Sequence, residues 1–133
     1  METRSSVPIN NEWDIVQARQ LGRQISREMG FGHVDQARIT TAISELARNI
    51  YLYANNGEIT IEPIVNLGKK GLKITSRDKG PGIKDIRLVM QDGYTTSGGL
   101  GAGLPGVKRL MDIFKIDSTL EKGTNIVAIK WLR

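Results

Sequence analysis

The spacing of apolar residues changes at Asn55-Asn56-Gly57, and that change limits the possible folds more than any other feature of the chain. Before it, Ile15, Ala18, Leu21, Gly22, Ile25 and Met29 recur at helical spacing, with Gly30 as a stop signal. A second helix is predicted from about Val34 to Tyr53, with the stripe Ile39, Ala42, Ile43, Leu46, Ala47 and Ile50, and with Asp35 in the first turn to suit the helix dipole. After it the period is two. Glu58 to Glu62 alternates around Ile59 and Ile61, and Leu72 and Ile74 alternate again beyond a turn spanning Asn66 to Gly71. Ile116, Ser118 and Leu120 suggest a third strand, and Asn125 to Leu132 a fourth, separated by a turn containing Gly123. Val7-Pro8-Ile9 is a short extended start, and a short helix is expected near Lys84 to Gln91. The order is helices, a hairpin, helices, a hairpin. It predicts an α+β two-layer α/β sandwich, with helices on one face of a mixed, mostly antiparallel sheet. No repeat or low-complexity segment interrupts it, so residues 1–133 are expected to form one domain.

Composition narrows the chemistry. With no cysteine, disulfides, thiolate metal sites and thiol nucleophiles are excluded. A single histidine, His33, excludes a multi-histidine zinc site and makes a histidine-centred triad hard to build. The net charge of +5 is spread thinly along the chain, and only 5% of residues are aromatic, which argues against a nucleic-acid platform. Apolar runs fall far below membrane-spanning length and no signal segment opens the chain, so no membrane partner and a cytoplasmic location are expected.

Between the second and third strands lies TTSGGLGAGLPGVKRLMD, residues 95 to 112. Gly101-Ala102-Gly103-Leu104-Pro105-Gly106 matches the dinucleotide pattern G-x-G-x-x-G, but Tyr94 to Ser97 stands where a buried strand should precede it, and no βαβ unit surrounds it. A P-loop fails too, because Val107-Lys108 replaces Gly-Lys-Ser/Thr. Five glycines within nine residues exceed what a helix cap needs. Leu104, Val107, Leu110, Met111 and Phe114 mark the buried face of a following helix, with Pro105 in its first turn. The backbone N–H groups of Gly101 to Leu104 would then face outward from a helix N-terminus, an arrangement suited to phosphate.

Two further groups gain meaning beside that loop. Asp78-Lys79-Gly80-Pro81-Gly82 ends a strand, and its composition also suits an ordinary exposed turn. An ionised carboxylate only accepts hydrogen bonds, however, and the 6-amino group of adenine donates one where guanine presents an acceptor. Gly80 and Gly82 would let the backbone approach base and sugar. Glu45 and Asn49, four apart in the second helix, share a face. Alone, such a pair is an ordinary polar helix edge. Near a phosphate loop, Asn49 could offer its side-chain oxygen to a phosphate-bridging Mg²⁺, and Glu45 could accept a proton from an attacking hydroxyl.

In this order, E-L-A-R-N, D-K-G-P-G and G-L-G-A-G-L resemble the N, G1 and G2 boxes of the GHKL superfamily, whose ATP-binding (Bergerat) fold gyrase B, the heat-shock chaperones, histidine kinases and MutL share. Gly123-Thr124 resembles the family's last box, whose threonine lies near the adenine. The flanks from Asn11 to Arg23, DQARITTAISELARNIYLYA and AIKWLR are similar to the stressosome switch-protein serine kinases. The resemblance implies a Mg²⁺- and ATP-dependent serine/threonine protein kinase. Such an enzyme phosphorylates STAS-domain partners, then binds and activates a PPM-type phosphatase that leads to an alternative sigma factor. By the same resemblance Glu45 is the general base or an orienting carboxylate, and Asn49 the Mg²⁺ ligand. Asp78, Gly80, Gly82 and Thr124 surround the adenine, and Gly99, Gly101, Gly103 and Leu104 cradle the phosphates. The lid, Ile83 to Ser97, is short. Related sporulation anti-sigma kinases carry an arginine just before the glycines. Here Thr95-Thr96-Ser97 stands there, so a cation for the terminal phosphate is expected from Lys84, Arg87 or Lys108 if at all, and turnover is expected to be weak. A nucleotide-dependent switch with little transfer, or an anti-sigma factor, is the alternative reading.

Overall fold

In the computed structural model of the protein, residues 4–54, 56–83, 86, 90–91 and 103–133 are described. Helix α1 (Glu12–Met29) starts at a reciprocal cap. The Asn11 side chain accepts the Asp14 backbone N–H at 3.1 Å, and the Asp14 carboxylate accepts the Asn11 N–H at 3.1 Å. The helix stops where the sequence predicts, at Gly30, whose φ of 99° lets its N–H turn back to the Arg27 carbonyl. Helix α2 (His33–Tyr53) begins at His33, so the lone histidine is a helix-start residue. α1 crosses α2 closely because Gly22 has no side chain: a Cβ there would collide with the Ile43 side chain.

The strands are β1 (Ser5–Ile9), β2 (Gly57–Asn66), β3 (Lys69–Asp78), β4 (Ile113–Thr119) and β5 (Gly123–Trp131), and helix α3 (Gly103–Leu110) precedes β4. They form one five-stranded sheet in the order β1-β2-β3-β5-β4. The expected mixed sheet is antiparallel at every described pairing, because each neighbour enters from a hairpin or through the helical layer. Alternation along the strands sends Val7, Ile9, Ile59, Ile61, Leu72, Ile74, Ile126 and Ala128 to one face, where they are buried with Ile39, Ile43, Leu46 and Ile50 of α2. Each fully buried side chain of this size contributes about 1.5–3 kcal/mol. This core fixes α2 over the sheet, and hence Glu45 and Asn49 relative to Asp78.

Three sequence expectations are corrected. The turn at Asn66 to Gly71 shrinks to Leu67-Gly68, at φ 52° and 80°, with Lys69 already paired to Asn66. The helix carrying Leu104 and Val107 ends at Leu110, and Phe114 belongs to β4 instead. There the Asp112 N–H donates to the Ile129 carbonyl of β5 at 2.9 Å rather than continuing the helix. Leu120 lies in the turn after β4 and is exposed. Of the short helix near Lys84 to Gln91, the Met90 N–H donates to the Ile86 carbonyl at 3.1 Å, and most of the rest lies outside the described residues.

Candidate functional site

Register builds the first half of the site. Gly57 pairs with Asp78, Asp78 with Thr124, and Thr124 with Ser118, so one row runs across four neighbouring strands on the helix-covered face. Asp78 Oδ1 accepts the Gly80 N–H at 2.9 Å and the Thr124 N–H at 3.3 Å. One carboxylate oxygen therefore folds the D-x-G-x-G loop back on its strand and ties it to β5. Oδ2 has no hydrogen-bond partner among the described residues and is left to accept from a ligand.

The glycines have reasons inside the chain. A Cβ on Gly80 would lie 2.6 Å from the Cβ of Ala54, at the end of α2. Gly82 takes φ 81° against the Thr119 carbonyl, and Gly123 takes φ 116° against the carbonyl of Asp78. Both lie in the left-handed region that side chains disfavour, so the loop docks between α2 and the β4–β5 hairpin only with glycine at these places.

Ser118 was not legible in the sequence. Its hydroxyl accepts the Ile83 N–H at 2.7 Å and lies 2.8 Å from the Thr124 hydroxyl, which fixes the far side of the loop and the orientation of Thr124. Its only sequence signal is the six-residue spacing from Thr124 across a hairpin.

The second half stands on the helices. Ile50 reaches over Gly57, and Ala54 over Gly80, so the C-terminal half of α2 covers the Asp78 row. Glu45 and Asn49 lie on that half of α2. Glu45 is 3% exposed and its Oε2 accepts from the Arg48 guanidinium at 3.2 Å. Arg48 is thus a cation beside the candidate base, which sequence reasoning did not single out. The Asn49 side chain is half-buried and has no hydrogen-bond partner among the described residues, so its carboxamide oxygen is available to a ligand. Helix α3 packs on α2, with Leu104 and Val107 buried and Gly103 opening the helix at φ 72°. Gly99 and Gly101, Thr95 to Ser97, and the candidate cations Lys84 and Arg87 lie outside the described residues. Lys108 is exposed on α3.

Opposite the helices, a cavity of about 560 Å³ lies against Glu58, Arg77, Asn125 and Asp117. These four pair in register and alternate with the Asp78 row, so that space backs onto the row from the uncovered face. No helix among the described residues is long and apolar enough to cross a membrane.

Residues 34–132 match the family of histidine kinase-, DNA gyrase B- and HSP90-like ATPases. The serine/threonine-protein kinase RsbT of Bacillus subtilis is 68% identical over 133 residues, covering 100% of both chains. The anti-sigma F factor of Bacillus licheniformis is 35% identical over 99 residues, covering 71% of this chain and 68% of its own. Among solved structures, that of the RsbU and RsbW domains of a Mycobacterium tuberculosis protein superposes with a TM-score of 0.68 at 17% identity, covering 100% of this chain and 33% of that one, a likeness of fold. The chain therefore belongs to the histidine kinase-, DNA gyrase B- and HSP90-like ATPase family, in its serine/threonine-protein kinase branch.

Proposed function

We propose that the protein transfers the γ-phosphoryl group of ATP to a serine or threonine of a STAS-domain partner. After release from that partner, it binds and activates a PPM-type phosphatase in a partner-switching pathway that leads to an alternative sigma factor. The observation that carries the nucleotide reading is the division of labour at Asp78. Oδ1 is spent on Gly80 and Thr124, while Oδ2 remains as an acceptor for the 6-amino group of adenine. Gly80, Gly82 and Thr124 border the base. Gly103 and Leu104, at the N-terminus of α3, hold the phosphates through backbone N–H groups and the helix dipole, and Gly99 and Gly101 are assigned to the same phosphates.

Asn49 has the free carboxamide oxygen that a Mg²⁺ ligand requires, one turn from Glu45 on α2. Mg²⁺ held there by Asn49 and the phosphates would offset phosphate charge. The partner's hydroxyl oxygen attacks the γ-phosphorus, the bond to the β–γ bridging oxygen breaks, and ADP leaves. Glu45 accepts the hydroxyl proton. Arg48 holds the Glu45 carboxylate before transfer and supplies positive charge close to it. Phosphoryl transfer depends on positioning and charge more than on covalent chemistry, so the absence of cysteine costs nothing.

The test is mass spectrometry of a purified STAS partner after incubation with this protein and Mg-ATP. One phosphorylated serine or threonine is expected, lost with Glu45→Ala. A partner left unmodified while ATP still binds would replace this reading with a nucleotide-dependent switch. The anti-sigma relative supports a further alternative, direct sequestration of a sigma subunit. Retention of a purified sigma factor in the presence of ATP would favour it.

A further inference from the structure

Lys130, on the helix-covered face of β5, is a 5% exposed lysine with no role in the transfer described above. Its ammonium donates to the backbone carbonyl of Leu110, the last residue of α3, at 2.9 Å. It also lies 3.6 Å from Asp112 Oδ1 and 3.8 Å from Asp35 Oδ1. Asp35 is in the first turn of α2 and is held by Arg38 at 2.9 Å. Asp112 accepts the Trp131 N–H at 2.7 Å and both terminal nitrogens of Arg133, at 3.2 and 3.0 Å. One ammonium thus joins the start of α2, the end of α3 and the end of β5. Burying a lysine is costly unless it is paired and hydrogen-bonded. The two carboxylates and the carbonyl meet that condition, and a cation at the C-terminus of α3 also complements the helix dipole.

We propose that Lys130 is the positioning residue for the phosphate-binding end of the site: by pinning the C-terminus of α3, it sets where the N-terminus of that helix stands. The proposal rests on the reading of Gly103 and Leu104 as phosphate contacts. The eight residues of α3 make a lever about 12 Å long. A tilt of about 10° about the pinned end would move the other end by about 2 Å, and a misplacement of 1 Å can cost a reaction roughly a hundredfold. The base-reading row does not pass through α3, because Asp78, Thr124 and Ser118 are fixed by sheet register and by their own hydrogen bonds. Loss of Lys130 should therefore weaken binding of phosphates and spare binding of the base.

Calorimetry with Mg-ATP and with adenosine, on the full chain and on Lys130→Met, separates the two. Lys130→Met should lower ATP affinity at least tenfold and leave adenosine affinity within twofold. An equal loss for both ligands would mark general loosening and overturn the proposal, as would an unchanged preference for ATP. Should Lys130→Met not fold, Asp112→Asn carries the test. It keeps an acceptor for Trp131 and removes one charge facing Lys130, and the ATP-to-adenosine affinity ratio should fall about threefold. An unchanged ratio in that variant would overturn the proposal. If the unmodified protein bound adenosine as tightly as ATP, the phosphate reading itself would fail, and the role of Lys130 with it.

Discussion

Replacing Asp78 by Asn tests the carboxylate proposed to read the base, with little disturbance to the loop that carries it. The carboxamide oxygen of the variant can take the place of Oδ1 and accept from Gly80 and Thr124, now at 2.9 and 3.3 Å. Two charge-assisted hydrogen bonds become neutral ones, a loss of about 1 kcal/mol in total, because the half-exposed loop is partly screened by water. For a chain of 133 residues this lowers the melting temperature by about 3–5 °C. The amide nitrogen then stands where Oδ2 was and meets the 6-amino group of adenine donor to donor. A favourable charged hydrogen bond becomes an unsatisfied contact, at about 3–4 kcal/mol, or roughly 10²–10³-fold in ATP affinity. Guanine has a carbonyl at that place, so GTP should lose far less, and the preference for ATP should collapse or invert. Calorimetry with each nucleotide, together with thermal unfolding, gives all three numbers. ATP affinity within threefold of the unmodified protein, in a folded variant, would refute the assignment.

Other positions read the fold independently. Gly123→Ala puts a Cβ into the Asp78 carbonyl at a φ of 116°, and chemical denaturation should show a loss of about 2–4 kcal/mol. Leu67 is 96% exposed at φ 52°, so Leu67→Asn, which tolerates that conformation, should raise stability by about 0.5–1 kcal/mol in the same assay. Burial raises the pKa of Asp112, but the Arg133 and Trp131 hydrogen bonds and the nearby Lys130 outweigh it and hold the group below its ordinary value of 3.8. The unfolded chain then binds the proton first, so this contribution is present above about pH 4 and is lost as pH falls through the folded value. Melting temperature against pH should therefore fall less steeply below pH 4 in Asp112→Asn than in the unmodified protein.

Helices α1 and α2 were legible because local signals agree: an apolar stripe at period 3.6 in each, a glycine stop at Gly30 after α1, and Asp35 in the first turn of α2. The D-x-G-x-G loop at the end of β3 was legible because it is continuous in sequence. The β2–β3 hairpin was misread at its tip because it projects past the helical layer. Val65, Leu67, Lys69 and Lys70 are all exposed there, so no buried face remains to impose alternation. Phe114 was misplaced because the apolar spacing of α3 runs on after the helix has ended. What ends it lies far along the chain, in the Ile129 carbonyl that captures Asp112 and in the Lys130 ammonium that captures Leu110. Ser118 and Lys130 were missed for the same reason, since their partners come from pairing between strands and helices. Arg48 is different. It stood in plain view three residues from Glu45, and only the ion pair distinguishes it from any other helix arginine.

The two halves of the proposed site answer to different parts of the fold. On the proposed reading, base recognition belongs to a sheet row whose spacing is set by backbone pairing and by two glycines with positive φ. On the same reading, phosphate handling falls to α2 and α3, which reach the sheet through side-chain packing and through Lys130. Changes in the row should therefore alter which nucleotide binds, while changes in the helical layer should alter what happens to its phosphates. A switch protein gains from that separation. In the proposed site, nucleotide identity would be read by the sheet row and transfer set by the helical layer. Glu45, Arg48 and Asn49 sit within five residues of α2, so a protein that engages this helix would act on the proposed base, its paired cation and the proposed metal ligand at one time.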